Sequence, residues 1–286
     1  MLFPMYTTLI ETAELAAVMA DPRCAILDCR FDLAQPEWGA REYAAGHIPH
    51  ALYADLDRDL AGAVHAGSGR HPLPNPAEWV QTLSRWGIDE RVQVVAYDQG
   101  NGAYAARLWG LLRWVGHTEV AVLNGGFAAW LAAGLPISKA LDARAAAHFT
   151  ARATALHTLD AEEIERSLAQ EEILLVDARG ADRFAGENEK LDPVAGHIPG
   201  ARNKPFVTNL DPQGRFLPAP ELRRRWQAVL ATRPASELVS MCGSGVTACH
   251  NLLALEIAGL PGARLYPGSW SEWIRDPHHP IARGPS

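Results

Sequence analysis

The residue in this chain best suited to nucleophilic chemistry is a cysteine in a glycine-rich loop. Cys242 opens the run Cys242-Gly243-Ser244-Gly245-Val246-Thr247-Ala248. The apolar stretch Leu238-Val239-Ser240-Met241 leads into it, and Cys249 to Glu256 leads out with helical patterning. The cysteine therefore stands where a strand ends and a helix begins. Successive backbone N–H groups in such a loop can turn inward as an anion nest. The helix that follows adds the positive end of its dipole. Both features favour thiolate over thiol, and the thiolate is the nucleophile. A free thiol with a pKa of about 8.5 is only a few per cent ionised at neutral pH, so this stabilisation governs reactivity. The competing reading is a buried cysteine acting as a small apolar residue. The Gly-Ser-Gly context fits that poorly.

The elements that must position this loop come from an ordinary soluble composition. The chain has 286 residues, enough for two domains, with 48% hydrophobic and 21% charged residues. A net charge of −7 gives no nucleic-acid surface, yet leaves room for a locally basic pocket and a small anionic substrate. The four cysteines, Cys24, Cys29, Cys242 and Cys249, form no CxxC pair and lack zinc-site spacing. They do not read as a disulfide scaffold. The N-terminus carries no basic leader, and no apolar run reaches the roughly 18 residues of a membrane span. A reducing, cytoplasmic setting is expected, with no membrane and no nucleic-acid partner.

The chain is written twice. Gly46-His47-Ile48-Pro49 recurs as Gly196-His197-Ile198-Pro199, and Ile26-Leu27-Asp28-Cys29-Arg30 as Leu175-Val176-Asp177-Ala178-Arg179. Val94-Val95-Ala96-Tyr97-Asp98 matches Leu238-Val239-Ser240-Met241-Cys242, and Gly125 to Trp130 matches Gly268 to Trp273. A period this long means duplicated domains rather than a solenoid. Short apolar runs such as Ala25–Asp28, Val92–Tyr97 and Val120–Leu123 alternate with helical stretches such as 76–83 and 103–112. That pattern predicts an α/β fold with mainly parallel sheets covered by helices on both faces. Ligands in such sheets bind beyond the carboxyl ends of the strands. The expected organisation is a catalytically inactive first domain (1–140), with Asp98 at the cysteine position, an Ala-rich linker (141–156) and a catalytic second domain (157–286).

These residues resemble the rhodanese family in its two-domain (tandem) form, over nearly the whole chain. The paired Asp-x-Arg and Gly-His-Ile-Pro elements, the cysteine loop and the terminal Gly-Ser-Trp-Ser-Glu-Trp carry the resemblance. The loop Cys-Gly-Ser-Gly-Val-Thr is similar to the 3-mercaptopyruvate sulfurtransferase branch. Thiosulfate-preferring members usually place two basic residues after the cysteine, where this chain has Gly243 and Ser244. The charge argument agrees, because a compact dianion is held best by adjacent cations. The resemblance implies Arg183 as a substrate arginine, against a surface ion pair as the plain alternative. The branch usually has a second arginine several residues later. This chain has Glu189-Lys190 there, and Lys190 would hold a carboxylate as a point charge only. The resemblance further implies a relay through Ser244, His71 and Asp57. His71 could instead be a solvated loop histidine, and Asp57 could cap a turn, with Asp55 or Asp59 in its place.

The expected chemistry is a ping-pong sulfur transfer. Cys242 is the catalytic nucleophile, and Gly243, Gly245, Val246 and Thr247 supply the donor-binding loop. Sulfur is expected to pass from 3-mercaptopyruvate, a small anionic donor, through a Cys242 persulfide to a thiol, thioredoxin or cyanide. No metal or organic cofactor is required. Three rival readings are a thiosulfate:cyanide sulfurtransferase, a cysteine phosphatase and a non-catalytic binding module. A phosphatase needs Cys-x5-Arg to grip phosphate, and Ala248 stands at that position. The remaining repeated residues read as structural: Asp28 with Arg30 and Asp177 with Arg179 as buried pairs, His47 and His197 as backbone partners, Cys249 as core. The tryptophans are expected as core anchors, with Trp270 or Trp273 able to line the pocket.

Overall fold

The computed structural model describes residues 4–285, which divide into two compact units. The first comprises Met1–Gly62, Pro74–Ala155 and Pro212–Phe216; the second comprises Ala63–Leu73, Leu156–Asp211 and Leu217–Ser286. The units are thus not two contiguous halves. Segment 63–73, read from the sequence as part of the first domain, is tied to the second. Arg70 N–H donates to Ser271 Oγ (3.0 Å), and Arg275 Nε donates to the Ser68 carbonyl (3.3 Å). These bonds join residues some 200 positions apart, which is why neither composition nor periodicity revealed them.

The first unit holds strands β1 (Leu9–Ile10), β2 (Cys24–Asp28), β3 (Ala51–Tyr53), β4 (Gln93–Tyr97) and β5 (Val120–Leu123). They form one sheet in the order β1-β5-β4-β2-β3, and every pairing is parallel. All residues of β2, β4 and β5 are buried, so both sheet faces must be covered. The cover is α1 (Thr12–Val18), α2 (Trp38–Ala45), α3 (Pro76–Arg85), α4 (Ala105–Trp114) and α5 (Gly126–Ala132). Asn75 caps α3 by accepting from Ala77 N–H, with Pro76 at the first turn, where its missing donor costs nothing. The core gathers Ile10, Leu15, Ile26, Val95, Tyr97, Leu123 and Trp130. Residues 141–156 have no helix or strand, but they are anchored by Ala147 N–H to Ser84 O and Arg152 N–H to Val115 O (both 2.9 Å).

The second unit repeats this plan in shorter form. Its strands are β6 (Leu174–Asp177), β7 (Arg202–Asn203), β8 (Leu238–Met241) and β9 (Arg264–Leu265), parallel throughout in the order β7-β6-β8-β9. A parallel bridge from Thr158 to Leu265 stands where β1 stands in the first sheet. Its helices are α6 (Ala161–Ala169), α7 (Ala181–Ala185), α8 (Ala219–Leu230), α9 (Thr247–Ile257) and α10 (Ser269–Trp273). Asp160 and Glu163 form a capping box at the start of α6. The core includes Ile164, Leu175, Phe184, Val239, Met241, Tyr266, Trp270 and Trp273. Trp270 and Trp273 are core residues, and the Arg179 guanidinium lies over the Trp270 ring (4.9 Å).

The repeated motifs brace both sheets in the same way. Arg30 pairs with Asp28 (2.6 Å) and donates to Gly46 O (2.8 Å); Arg179 pairs with Asp177 (2.7 Å) and donates to Gly196 O (2.8 Å). Both pairs are buried, and each guanidinium is bonded to its carboxylate and to a backbone carbonyl, which helps offset the cost of buried charge. His47 Nδ1 meets Tyr43 O (2.8 Å) and His197 Nδ1 meets Phe184 O (2.9 Å). Among the described residues no helix is long and apolar enough to cross a membrane.

Candidate active site

Cys242 follows β8 directly, and α9 starts at Thr247, so the loop between them is short and closed. The loop is pinned from behind by α10. Cys242 N–H donates to Ser269 Oγ (3.0 Å), while Trp270 N–H and Ser271 N–H donate to the carbonyls of Cys242 (3.0 Å) and Gly243 (2.9 Å). Gly245 has φ +77°, a region that favours glycine. A Cβ there would also come within 2.4 Å of the Pro267 carbonyl. The cysteine is 2% exposed.

The equivalent loop of the first unit shows what this backbone binds. Asp98 is fully buried, and its carboxylate accepts N–H bonds from Gly100 (3.0 Å), Gly102 (3.0 Å), Tyr104 (2.9 Å) and Ala105 (3.2 Å). Burial still pushes the Asp98 carboxyl up, although the four donors oppose it. The strand–loop–helix turn is thus an anion nest in the copy where its occupant is visible. In the second unit the residue at that place is Cys242.

His71 is buried, and its Nδ1 lies 2.7 Å from Ser244 Oγ. Asp57 belongs to the first unit, where its N–H donates to Asp55 Oδ1 (3.0 Å). Asp55 also accepts from Arg58 N–H and so serves as the turn cap.

Arg183, on α7, donates through Nε to Glu189 (3.0 Å) and through Nη2 to Glu189 (2.8 Å) and Asp192 (3.2 Å). Glu189 is buried, which pushes its carboxyl up, but bonds from Leu191 N–H and Arg183 outweigh this and hold it below the usual range. Asp192 is held by burial above the usual range, opposed by Arg70, Arg183 and Arg179. Lys190 is exposed and makes no hydrogen bond or ion pair among the described residues. It takes no part in the bonds that join Arg183, Glu189 and Asp192. Sequence reasoning missed Arg70, which pairs with Asp192 and approaches Gly243. Its only signal was adjacency to His71.

The other cysteines are remote in character from Cys242. Burial pushes Cys24 up to about 12 and Cys29 well above the ordinary thiol range. Cys249 Sγ contacts the Gly245 carbonyl (3.4 Å) from inside α9. All four cysteines are free thiols, and no group of three or more His, Cys, Asp or Glu side chains among the described residues could hold a metal ion.

Comparison with known proteins agrees with this geometry. The rhodanese-like domain matches residues 11–133 and again 160–276. A probable 3-mercaptopyruvate sulfurtransferase of Pseudomonas aeruginosa is 50% identical over 278 residues, covering 96% of this chain and 98% of the relative. A putative thiosulfate sulfurtransferase of Mycobacterium tuberculosis is 39% identical, covering 96% and 97%. The solved 3-mercaptopyruvate sulfurtransferase of Leishmania major superposes with a TM-score of 0.84 at 34% identity, covering 93% of this chain and 74% of that one. The chain belongs to the rhodanese-like domain family, of which it carries two copies. Its activity is sulfur transfer.

Proposed function

We propose that the second unit moves sulfur from 3-mercaptopyruvate through a persulfide on Cys242. The observation that carries this reading is the nest geometry: the same turn cradles a carboxylate with four N–H groups in the first unit, and offers a cysteine in the second. The Cys242 thiolate attacks the donor's thiol sulfur. The sulfur–carbon bond breaks, and its electron pair leaves on carbon as the enolate of pyruvate. The proton of the donor thiol balances that enolate, giving pyruvate and a Cys242 persulfide anion. N–H groups from Gly243 to Thr247 stabilise the terminal sulfur, and the Thr247 hydroxyl assists. Ser244 and His71, 2.7 Å apart, form a proton path; Asp57 is proposed as its third member. A thiol, thioredoxin or cyanide then attacks the outer sulfur and restores the thiolate.

Arg183 supports donor binding as a guanidinium beside the loop. The first unit, with a carboxylate sealed into its nest, is read as catalytically silent. A cytoplasmic setting suits the four free thiols. A second reading, thiosulfate as the preferred donor, is favoured by one observation: Gly243 carries no charge but has arginine nitrogens against it. The deciding experiment is initial rates with each donor at one fixed acceptor, with Cys242→Ser as blank. A kcat/KM preference for 3-mercaptopyruvate of about tenfold or more, roughly 1.4 kcal/mol, supports the first reading. A thiosulfate preference reverses the donor and leaves the Cys242 chemistry in place.

A further inference from the structure

Two neighbouring strands of the first unit begin with the same turn. Asp21-Pro22-Arg23 leads into β2, and Asp89-Glu90-Arg91 leads through Val92 into β4. In each turn the aspartate accepts the backbone N–H of the arginine (2.8 Å in both) and pairs with its guanidinium (2.7 and 2.8 Å). β2 and β4 are parallel and in register from Cys24 opposite Gln93, so the two turns stand side by side. They lie at the end of the strands away from Asp98 and its nest, which follow β4.

A third guanidinium closes this end of the sheet. Arg144, from the Ala-rich segment 141–156, donates through Nη1 to the Cys24 carbonyl (2.8 Å) and through Nη2 to the Pro22 carbonyl (2.7 Å). Among the described residues it pairs with no carboxylate, and its buried Nε has no acceptor. Burial pushes the Arg144 guanidinium down from its ordinary value, opposed by Cys24 and Asp89. A half-buried cation without a counter-charge is costly, so the arrangement calls for an anion. Gly87, at φ +67°, makes room for Arg144: a Cβ there would fall 2.5 Å from the Ala145 carbonyl and 2.9 Å from Arg144 Cβ.

Arg23, Arg91 and Arg144, with Gly87, Asp89 and Val92, line an open cavity of about 320 Å³. That is the lower end of the roughly 300–1,000 Å³ of small-molecule sites. The three guanidiniums hold two ion pairs between them. Glu90 does not line the cavity and makes no ion pair among the described residues. Arg91 gives only Nη2 to Asp89, and its other guanidinium N–H groups make no hydrogen bond among the described residues.

We propose that this cavity is an anion site of the first unit, and that its ligand is a compact polyanion of the phosphate class. Arg144 is the cation whose charge the ligand neutralises. Arg91 and Arg23 hold it from the two turns while keeping their aspartates. A lone carboxylate meets one unpaired cation and two flanking aspartates, whereas linked phosphoryl groups offer oxygens to all three guanidiniums at once. Because Arg144 belongs to segment 141–156, the ligand fastens that segment to the start of β2 and β4. The site is independent of the cysteine chemistry and of which sulfur donor is preferred.

The test is calorimetry of pyrophosphate and of ADP with the full-length protein and with Arg144→Gln, Arg91→Gln and Arg183→Gln, together with hydrogen exchange over residues 144–149. The expected wild-type Kd for the tighter of the two is about 1 mM or below, weakened about tenfold or more in Arg144→Gln and Arg91→Gln and unchanged in Arg183→Gln. Exchange at 144–149 should slow when the anion is added. Tighter binding of ADP makes the ligand a phosphate ester, and tighter binding of pyrophosphate makes it the free anion; either upholds the site. Arg91 is exposed, so Arg91→Gln tests the charge even if Arg144→Gln loosens the segment. Absence of binding up to about 10 mM of either probe overturns the proposal. So does affinity kept in both Arg91→Gln and Arg144→Gln, or affinity lost only in Arg183→Gln, which would put the anion at the cysteine loop.

Discussion

The Nδ1 atom of His71 and the Oγ atom of Ser244 lie 2.7 Å apart although 173 positions separate them in the chain. A hydroxyl held this closely by an imidazole can pass a proton to a developing carbanion. From 3-mercaptopyruvate the leaving group is the enolate of pyruvate, which must be protonated at carbon, whereas from thiosulfate it is sulfite, which needs no such proton. Ser244→Ala should therefore lower kcat with 3-mercaptopyruvate by about 10- to 100-fold and affect thiosulfate much less. Parallel rate measurements with the two donors check this; equal losses would remove Ser244 and His71 from the proton path.

Cys242→Ser should abolish transfer from either donor, by about a thousandfold or more, because a hydroxyl is a poor nucleophile toward sulfur. Mass spectrometry of protein incubated with donor alone should find one added sulfur in wild type and none in the variant. Cys249→Ser should keep the persulfide and most activity, since its buried sulfur, on α9, contacts the Gly245 carbonyl, a bond a hydroxyl can also make. Loss of the persulfide in Cys249→Ser would give that thiol a role in the reaction.

Asp98→Ala should unfold more easily by about 3 kcal/mol or more, since it strands four backbone donors that now share one carboxylate. Asp98→Asn keeps one oxygen acceptor and should cost less. Urea melts of the three proteins decide the point. Equal stability would mean that water satisfies the empty nest.

Gly245→Ala faces both a left-handed backbone, at φ +77°, and a carbonyl 2.4 Å from the new Cβ. The obstacle is backbone and cannot rotate away. A loss of about 2 kcal/mol or more is expected, together with loss of sulfur transfer as the nest opens. A variant of wild-type activity and melting temperature would contradict the loop geometry.

Glu272 supplies a pH test within the second unit. Burial, with help from Asp160, pushes its carboxyl up; the Tyr266 hydroxyl, His65 and His279 oppose the shift. A raised folded-state pKa means that its stabilising contribution is complete below the ordinary carboxylate pKa and lost as pH rises through the folded value. Glu272→Gln should therefore gain in melting temperature relative to wild type on moving from pH 4 to pH 7.5. A difference that is constant with pH, or that runs the other way, would rule this out.

Much of this architecture was legible from residue patterns. The runs Val120–Leu123 and Leu238–Met241 are strands with those bounds, because a fully buried parallel strand is a bare apolar run. The two-residue strands β1, β7 and β9 are too short to leave a pattern. Nor did the linker's lack of periodicity show that it would be strapped down by backbone bonds. At the site, the place of Cys242 between a strand and a helix follows from local spacing, whereas the role of Ser244 comes from the family resemblance alone. Arg70 follows from neither, since its meaning comes from bonds to Ser271 and Asp192, far along the chain. The same gap drew attention to Lys190, which is near Arg183 in sequence but faces water.

The assignment of segment 63–73 to the second unit bears on how the chain could be divided or recombined. A cut in the Ala-rich stretch would give a C-terminal piece with Cys242, its loop and Arg183, but without Arg70 or His71. Exchange of halves between related chains would likewise pair one parent's cysteine loop with the other's arginine and histidine. The two copies of the domain are therefore not interchangeable cassettes: the compact unit that carries Cys242 crosses the seam of the duplication, and a piece of the upstream half travels with the downstream one.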